Sequence, residues 1–111
     1  MSLRASIKSY QNYLINSLKN PKEAVGYLNA ALEGGDAQVF LLALHNVVQA
    51  QGGINKLAES THKSRTSLYK ALSRKGNPYL VSTNEILAAI GMHFQIAARN
   101  TRRRRKTSKA A

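Results

Sequence analysis

The sequence of 111 residues predicts an all-α domain of five to six helices, followed by a short strand and a basic tail. Two observations predict this class. Apolar residues recur three and four positions apart in successive segments, which is the period of a helix with one buried face. Residues that begin or end helices stand between those segments. We expect a single helical domain over residues 1–98 and a disordered Arg-rich tail over residues 99–111.

The first two segments predict a pair of helices joined by a short turn. Residues 6–18 carry apolar side chains at helical spacing, namely Ile7, Tyr10, Leu14 and Leu18. Asn20 then suits an N-cap, and Pro21 suits the first turn of the second helix. Gly34 and Gly35 end that helix after Glu33.

The third segment predicts the central helix of the domain. Asp36 is placed to cap a helix over residues 37–51. Apolar side chains cover most of its circumference, at Val39, Phe40, Leu41, Leu44, Val47 and Val48. A helix that is apolar nearly all round belongs inside a domain, and Gly52 with Gly53 ends it.

Residues 54–73 predict a helix-turn-helix, with short helices at 54–60 and 64–73 and a turn at 61–63. Four positions that this motif turns inward hold apolar residues: Leu57, Ala58, Leu68 and Ala71. The second helix of such a motif enters the major groove of DNA. A plain pair of helices with a solvated basic face is the alternative interpretation.

The remaining segments predict one more helix and one strand. Ser82 and Glu85 have the spacing of a capping box for a helix over residues 82–90. Residues 92–96 then alternate apolar and polar side chains, which is typical of a strand. Because an isolated strand is unstable, we expect it to pair across a homodimer or onto another protein.

The formal charge of +12 is concentrated in two stretches. Residues 99–111 hold seven basic residues and no acid, and residues 54–77 hold six basic residues and one acid. The rest of the chain is balanced, with four bases and four acids. This segregation favours a polyanionic partner for both stretches.

The exposed face of the second helix of the motif holds side chains able to hydrogen-bond to base edges. We predict that base pairs are read by Ser64, Arg65, Thr66, Tyr69 and Lys70. Phosphate contacts fix the register of a protein on DNA without reading sequence. For these contacts we predict Lys56, Lys63, Ser67, Arg74, Lys75, Arg102, Arg103, Arg104 and Arg105.

Several functional classes lack the residues that they need. The chain has no cysteine, and His45, His62 and His93 have no companions at ligand spacing, so we expect no metal. No nucleophile-and-base set or glycine-rich phosphate loop is present, which argues against an enzyme, a cofactor or a small-molecule substrate. No apolar run reaches the length of a membrane span and no secretory signal is visible, so we expect a cytoplasmic protein without a membrane partner.

Several motifs in order resemble the addiction-module antidote family over residues 9–97. They are SLKNPKEAVGYLNAALE, GGDAQVFLLAL, KLAEST, SRTSLYKALSRKGNP and AAIG. This family consists of bacterial antitoxins with an Xre-like helix-turn-helix of the lambda-repressor type, encoded beside a toxin of the RelE/ParE type. The resemblance implies a protein that binds double-stranded operator DNA, represses its own operon and neutralises its toxin. We expect a homodimer that acts at the nucleoid.

A separate surface is expected to bind the toxin. Residues 6–33 are our prediction, because their charges roughly cancel and their tyrosines suit an interface. The candidate residues are Tyr10, Tyr13, Leu14 and Tyr27.

The chain departs from the family pattern at three places. His62 and Lys63 stand in the turn, where the family usually has a glycine and then an apolar residue. Histidine tolerates positive φ better than most residues do. Thr83 and Asn84 replace apolar residues, so we expect a looser start to the last helix. The Arg-rich tail is not part of the pattern.

Two other functions stay open on the sequence. One is a stand-alone or phage-type repressor without a toxin, which a toxin-like neighbouring gene would argue against. The other is an RNA- or single-strand-binding module led by the tail, which a comparison of duplex with single-stranded probes would reveal.

Overall fold

Six α-helices form the described part of the chain, residues 3–73 and 78–99, in the computed structural model. They are α1 Leu3–Ser17, α2 Pro21–Glu33, α3 Ala37–Ala50, α4 Gly53–Thr61, α5 Arg65–Leu72 and α6 Leu80–Ala89. The predicted all-α class and the number of helices are confirmed. The tail from residue 100 onward lies outside the described residues, so its disorder stays a prediction.

Side-chain caps set the starts of α2 and α3, as predicted. Asn20 Oδ1 accepts a hydrogen bond from the backbone N–H of Lys22 at 2.9 Å, and Pro21 occupies the first turn. Asp36 Oδ1 accepts from the backbone N–H of Gln38 at 2.9 Å. These bonds satisfy amides that have no partner within their own helix.

The start of α6 differs from the prediction. The helix begins at Leu80 with Tyr79 as N-cap and without a side-chain cap, so the capping box predicted for Ser82 and Glu85 is wrong. Thr83 Oγ1 donates to the Tyr79 carbonyl at 2.8 Å, which satisfies a buried hydroxyl inside the helix. A buried threonine is thus accommodated in a helix that starts before Ser82 rather than at it.

α3 is the central helix, as its apolar circumference predicts. It packs against α1, α2, α4 and α5. Its buried residues are Phe40, Leu41, Ala43, Leu44, Asn46, Val47 and Val48. The other helices and the turn after α1 complete the core with residues that include Leu18, Leu28, Leu57, Leu68 and Ile86. Burying one large aliphatic side chain contributes roughly 1.5–3 kcal/mol, so packing on α3 positions α1, α2, α4 and α5, and α6 packs on α4.

A short chain of hydrogen bonds joins α1, α2 and α3. Gln11 Nε2 donates to Asn46 Oδ1 at 3.1 Å, and Asn46 Nδ2 donates to the Tyr27 hydroxyl at 3.0 Å. Asn46 is buried, so its amide needs such partners. No residue of α1 is itself buried, and polar contacts are therefore a large part of its attachment.

The strand predicted at residues 92–96 is not formed among the described residues. Residues 92–99 have no regular secondary structure. The Met92 N–H donates to the Leu87 carbonyl at 2.8 Å, and the Phe94 ring lies 6.1 Å from that of Phe40. Met92 and Phe94 face the core as the alternation predicts, whereas Ile96 is 97% exposed. A single chain offers this segment no neighbouring strand, so side-chain packing fixes it instead of a ladder of backbone bonds.

Candidate nucleic-acid interface

The turn between α4 and α5 is closed by a residue in the left-handed conformation. His62 has φ 60° and ψ 30°, and it is the one non-glycine residue with positive φ in ranges 3–73 and 78–99. Thr61 Oγ1 donates to the Leu57 carbonyl at 2.8 Å within the last turn of α4. The helix therefore ends at Thr61, and α5 begins at Arg65. The break between the two helices spans residues 62–64, one residue later than the turn predicted at residues 61–63.

The inward positions of the two helices also match the prediction. Leu57 and Leu68 are buried, with 3% and 1% of their surfaces exposed. Ala58 and Ala71 are half-buried and pack against the same core. Small residues at these two positions let α4 and α5 approach each other closely. One face of the α4–α5 pair therefore packs against the domain. The opposite face of α5 is exposed to solvent.

The candidate base-reading residues all lie on the exposed surface of α5 and its cap. These are Ser64, Arg65, Thr66, Tyr69 and Lys70. Ser64 is the N-cap rather than the first helical residue, and its Oγ accepts from the Ser67 N–H at 3.0 Å. The Ser64 hydroxyl therefore caps the start of α5 and is also exposed to solvent. The side chains of Thr66 and Lys70 point outward from the helix.

Arg65 makes a hydrogen bond that the sequence analysis missed. Its Nη1 donates to Asn55 Oδ1 on α4 at 3.0 Å. A guanidinium has five N–H donors in a planar fork, so this bond orients the group and leaves other donors available. Asn55 thereby joins the site as a residue that positions Arg65. No local pattern marks it, because it lies ten residues earlier on the other helix.

Lys63, predicted to contact phosphate, takes part in an ion pair. Its Nζ lies 3.0 Å from Glu85 Oε1 on α6, and both side chains are partly exposed. Exposed pairs of this kind contribute about 0–1 kcal/mol, so the bond is readily exchanged for another anion. Glu85 therefore connects α6 to the turn, and this contact replaces the capping role predicted for it.

Tyr69 faces both solvent and α3. Its side chain is 51% exposed, and its ring centroid lies 6.4 Å from that of His45 on α3. It borders a shallow apolar groove together with Val39 and Leu42. One side of the Tyr69 ring therefore packs against α3, and the rest of the ring is exposed to solvent on the outer face of α5.

The remaining phosphate candidates fall into two groups. Lys56 and Ser67 are exposed on α4 and α5. The others lie outside the described residues: Arg74, Lys75, Arg102, Arg103, Arg104 and Arg105.

A family model described as "Probable addiction module antidote protein" matches residues 8–98 of the chain. The chain belongs to this family. The resemblance expected from the motifs is therefore confirmed, and the antidote family supplies an antitoxin role. A Haemophilus influenzae (strain ATCC 51907 / DSM 11121 / KW20 / Rd) protein named "Uncharacterized protein" is 32% identical over 79 residues. That match covers 71% of this chain and 80% of the relative. No solved structure matches the chain significantly.

The residues predicted to bind a toxin differ in how far they are exposed to solvent. Tyr10 and Tyr13 are 64% and 72% exposed on α1. Leu14 and Tyr27 are half-buried against the core, and the Tyr27 hydroxyl is bonded to Asn46. Tyr27 therefore has a structural role, whereas the tyrosines of α1 are accessible.

Two further findings concern the residues at 3–73 and 78–99. Their His, Asp and Glu side chains form no group of three placed to hold a metal ion. None of their helices combines the length and the apolar character needed to cross a bilayer.

Proposed function

We propose that this antidote-family protein is a DNA-binding antitoxin that represses its own operon through α4 and α5 and neutralises a RelE/ParE-type toxin. The family gives the antitoxin role. The observation that carries the DNA-binding part is the left-handed turn at His62, which sets α5 apart with a polar outer face. The protein would act in the bacterial cytoplasm, at the nucleoid.

Base reading is assigned to the N-terminal half of α5, the part of a reading helix that enters the major groove. Arg65 suits the O6 and N7 acceptors of guanine, and its bond to Asn55 reduces the orientations available to the guanidinium. Thr66 and Lys70 project from the same helix and contact neighbouring bases. Arg65 is the residue on which sequence preference depends most.

Phosphate contacts are assigned to basic and hydroxyl side chains around α5. Lys56 and Ser67 are exposed and would contact phosphates. Lys63 would exchange the Glu85 carboxylate for a phosphate oxygen when DNA binds. The basic residues of the tail would add contacts to the phosphates of the DNA backbone. The affinity for any DNA duplex should therefore fall steeply as the salt concentration rises. In a dimer, the two protomers would place their reading helices about 34 Å apart.

Replacing Arg65 tests the reading role most directly. We expect Arg65→Ala to reduce the preference for the duplex upstream of the gene over a shuffled duplex by about 1–3 kcal/mol. Asn55→Ala should reduce it in the same direction by less, because the guanidinium remains but is no longer oriented. Fluorescence anisotropy on both duplexes at several salt concentrations measures this preference.

Lys56→Ala is the matched control for these variants. Lys56 is exposed on α4 and is assigned to phosphate, so its loss should weaken binding to both duplexes equally and lower the salt slope by about one. Equal losses on both duplexes for Arg65→Ala would contradict the reading role. Tighter binding to single-stranded than to duplex probes would favour a single-strand-binding module instead.

The toxin is assigned to α1, whose tyrosines are accessible. Co-expression with the product of each flanking gene tests for this partner. We expect that removing residues 1–10, of which residues 3–10 are all exposed, abolishes the complex while DNA binding persists. DNA binding without capture of either product would identify a stand-alone repressor.

A further inference from the structure

The first helix presents an apolar stripe that the domain leaves uncovered. Leu3, Ile7 and Tyr10 are 77%, 60% and 64% exposed. With Leu14 they are separated by four, three and four residues, which is the a/d spacing of a coiled-coil seam. Leu14 packs against the core, so the seam is continuous with the domain at its C-terminal end and open at its N-terminal end.

The N-terminal half of α1 buries no side chain against the domain. Residues 3–10 are all exposed, and the hydrogen bond from Gln11 to Asn46 is made further along the helix. Helices shorter than about 12–15 residues are marginal in water without tertiary packing. Two turns of exposed amphipathic helix are therefore stabilised when a partner covers the seam.

We propose that the seam formed by Leu3, Ile7, Tyr10 and Leu14 docks one amphipathic helix of the toxin, and that this helix carries acidic residues beside its apolar stripe. The inference rests on the proposed antitoxin function and names the surface and the chemistry of the partner. Leu3 and Ile7 were not among the toxin-binding candidates taken from the sequence, and Tyr27 is excluded because its hydroxyl holds Asn46.

The charge of α1 decides between a toxin helix and a second copy of the chain. α1 carries Arg4 and Lys8 and no acidic residue. Arg4 follows the seam residue Leu3, at a position where coiled-coil partners exchange opposite charges. A second copy brings only the same positive charge to that position, whereas a helix with Asp or Glu there gains a favourable pair.

Paired variants of the full chain test the seam. The protein is co-expressed with the product of each flanking gene, and the affinity of the captured complex is measured by calorimetry. We expect Ile7→Ala and Tyr10→Ala to weaken this complex about tenfold or more, because each removes buried apolar surface. Leu80→Ala, which alters a similarly exposed apolar residue on α6, should change the affinity by less than about twofold.

Charge reversal tests the acidic partner. Arg4→Glu should weaken the complex, and the loss should shrink as salt is raised, because it is electrostatic. Lys22→Glu makes the same change on the exposed surface of α2 and should leave the affinity unaltered. DNA affinity, measured in parallel, should stay the same in all these variants, which shows that they are folded.

Hydrogen exchange identifies the occupant of the seam. Amides of residues 3–10 should become protected when the toxin is added and should not change as the protein alone is concentrated. Protection that rises with concentration alone would show that a second copy occupies the seam and would overturn the proposal. Capture of a flanking-gene product with unchanged affinity in Ile7→Ala and Tyr10→Ala would also overturn it, and would leave the antitoxin function standing. Capture of neither product would refute the toxin-binding part of that function together with this inference.

Discussion

At the residue scale, the separation of α4 from α5 depends on His62. A left-handed backbone costs an L-residue roughly 1–2 kcal/mol relative to its preferred conformation. The chain retains this conformation because Leu57 and Leu68 are buried on either side of the turn and fix the two helices. The strain is local and is compensated by packing.

Replacing His62 with glycine should stabilise the domain. Glycine adopts positive φ freely, and after its larger entropy loss on folding we expect a gain of roughly 0.5–1 kcal/mol in the free energy of unfolding. Urea denaturation followed by circular dichroism measures it. His93→Gly is the matched control, since His93 is exposed and has negative φ, and it should not stabilise. A loss of stability in His62→Gly would show that the imidazole makes a contact that outweighs the strain.

The residues of the candidate site were predicted unequally from the sequence. Leu57 and Leu68 were recognised as inward positions because their spacing is local. Ser64 was expected to be the first residue of the second helix, and its role as N-cap was not predicted. Asn55 and Glu85 were missed, since their partners Arg65 and Lys63 lie on other elements. Side-chain pairs between elements depend on how helices cross, which no local spacing encodes.

At the element scale, α1 is attached differently from the other helices. Its link to α3 includes the bond from Gln11 to the buried Asn46, which also holds Tyr27 on α2. Removing the shared amide leaves two polar groups unpaired. An unpaired group in a partly buried site costs about 1–3 kcal/mol, so one residue affects the attachment of two helices.

Asn46→Ala should therefore loosen α1 as well as destabilise the domain. We expect the free energy of unfolding to fall by about 1–3 kcal/mol and amides of residues 11–17 to exchange faster with solvent. Denaturation and hydrogen exchange detected by mass spectrometry measure the two effects. Asn84→Ala, at an exposed position of α6, is the control and should alter neither. Unchanged exchange in α1 would mean that apolar packing alone holds it.

The elements themselves were predicted well where they are stabilised locally. Caps such as Asn20 and Asp36, together with helical spacing, located the helices to within a few residues. The segment at 92–96 was assigned as a strand because its side chains alternate. Alternation records which side chains face the core, and Met92 and Phe94 do so. A strand also needs a neighbouring strand, and residues 3–73 and 78–99 provide none.

At the scale of the whole molecule, the two basic stretches and the apolar seam of α1 lie in different parts of the chain. Basic residues concentrate at residues 54–77 and 99–111, whereas the uncovered apolar seam is on α1. α1 packs on α3, and α5 packs on α3 and α4. This arrangement supports two partners that bind at different surfaces of one small domain, one of them a polyanion.

The central claim is that α5 is the element that enters DNA, and site-directed cleavage tests it most directly. Because the chain has no cysteine, Ser73→Cys places one iron–EDTA group at the C-cap of α5, and Asn12→Cys places one on α1 as a control. On the duplex upstream of the gene, the Ser73→Cys conjugate should cut two clusters about ten base pairs apart, one for each protomer. The Asn12→Cys conjugate should not cut there. Cleavage by the Asn12→Cys conjugate alone, or even cutting of every duplex by the Ser73→Cys conjugate, would contradict the account.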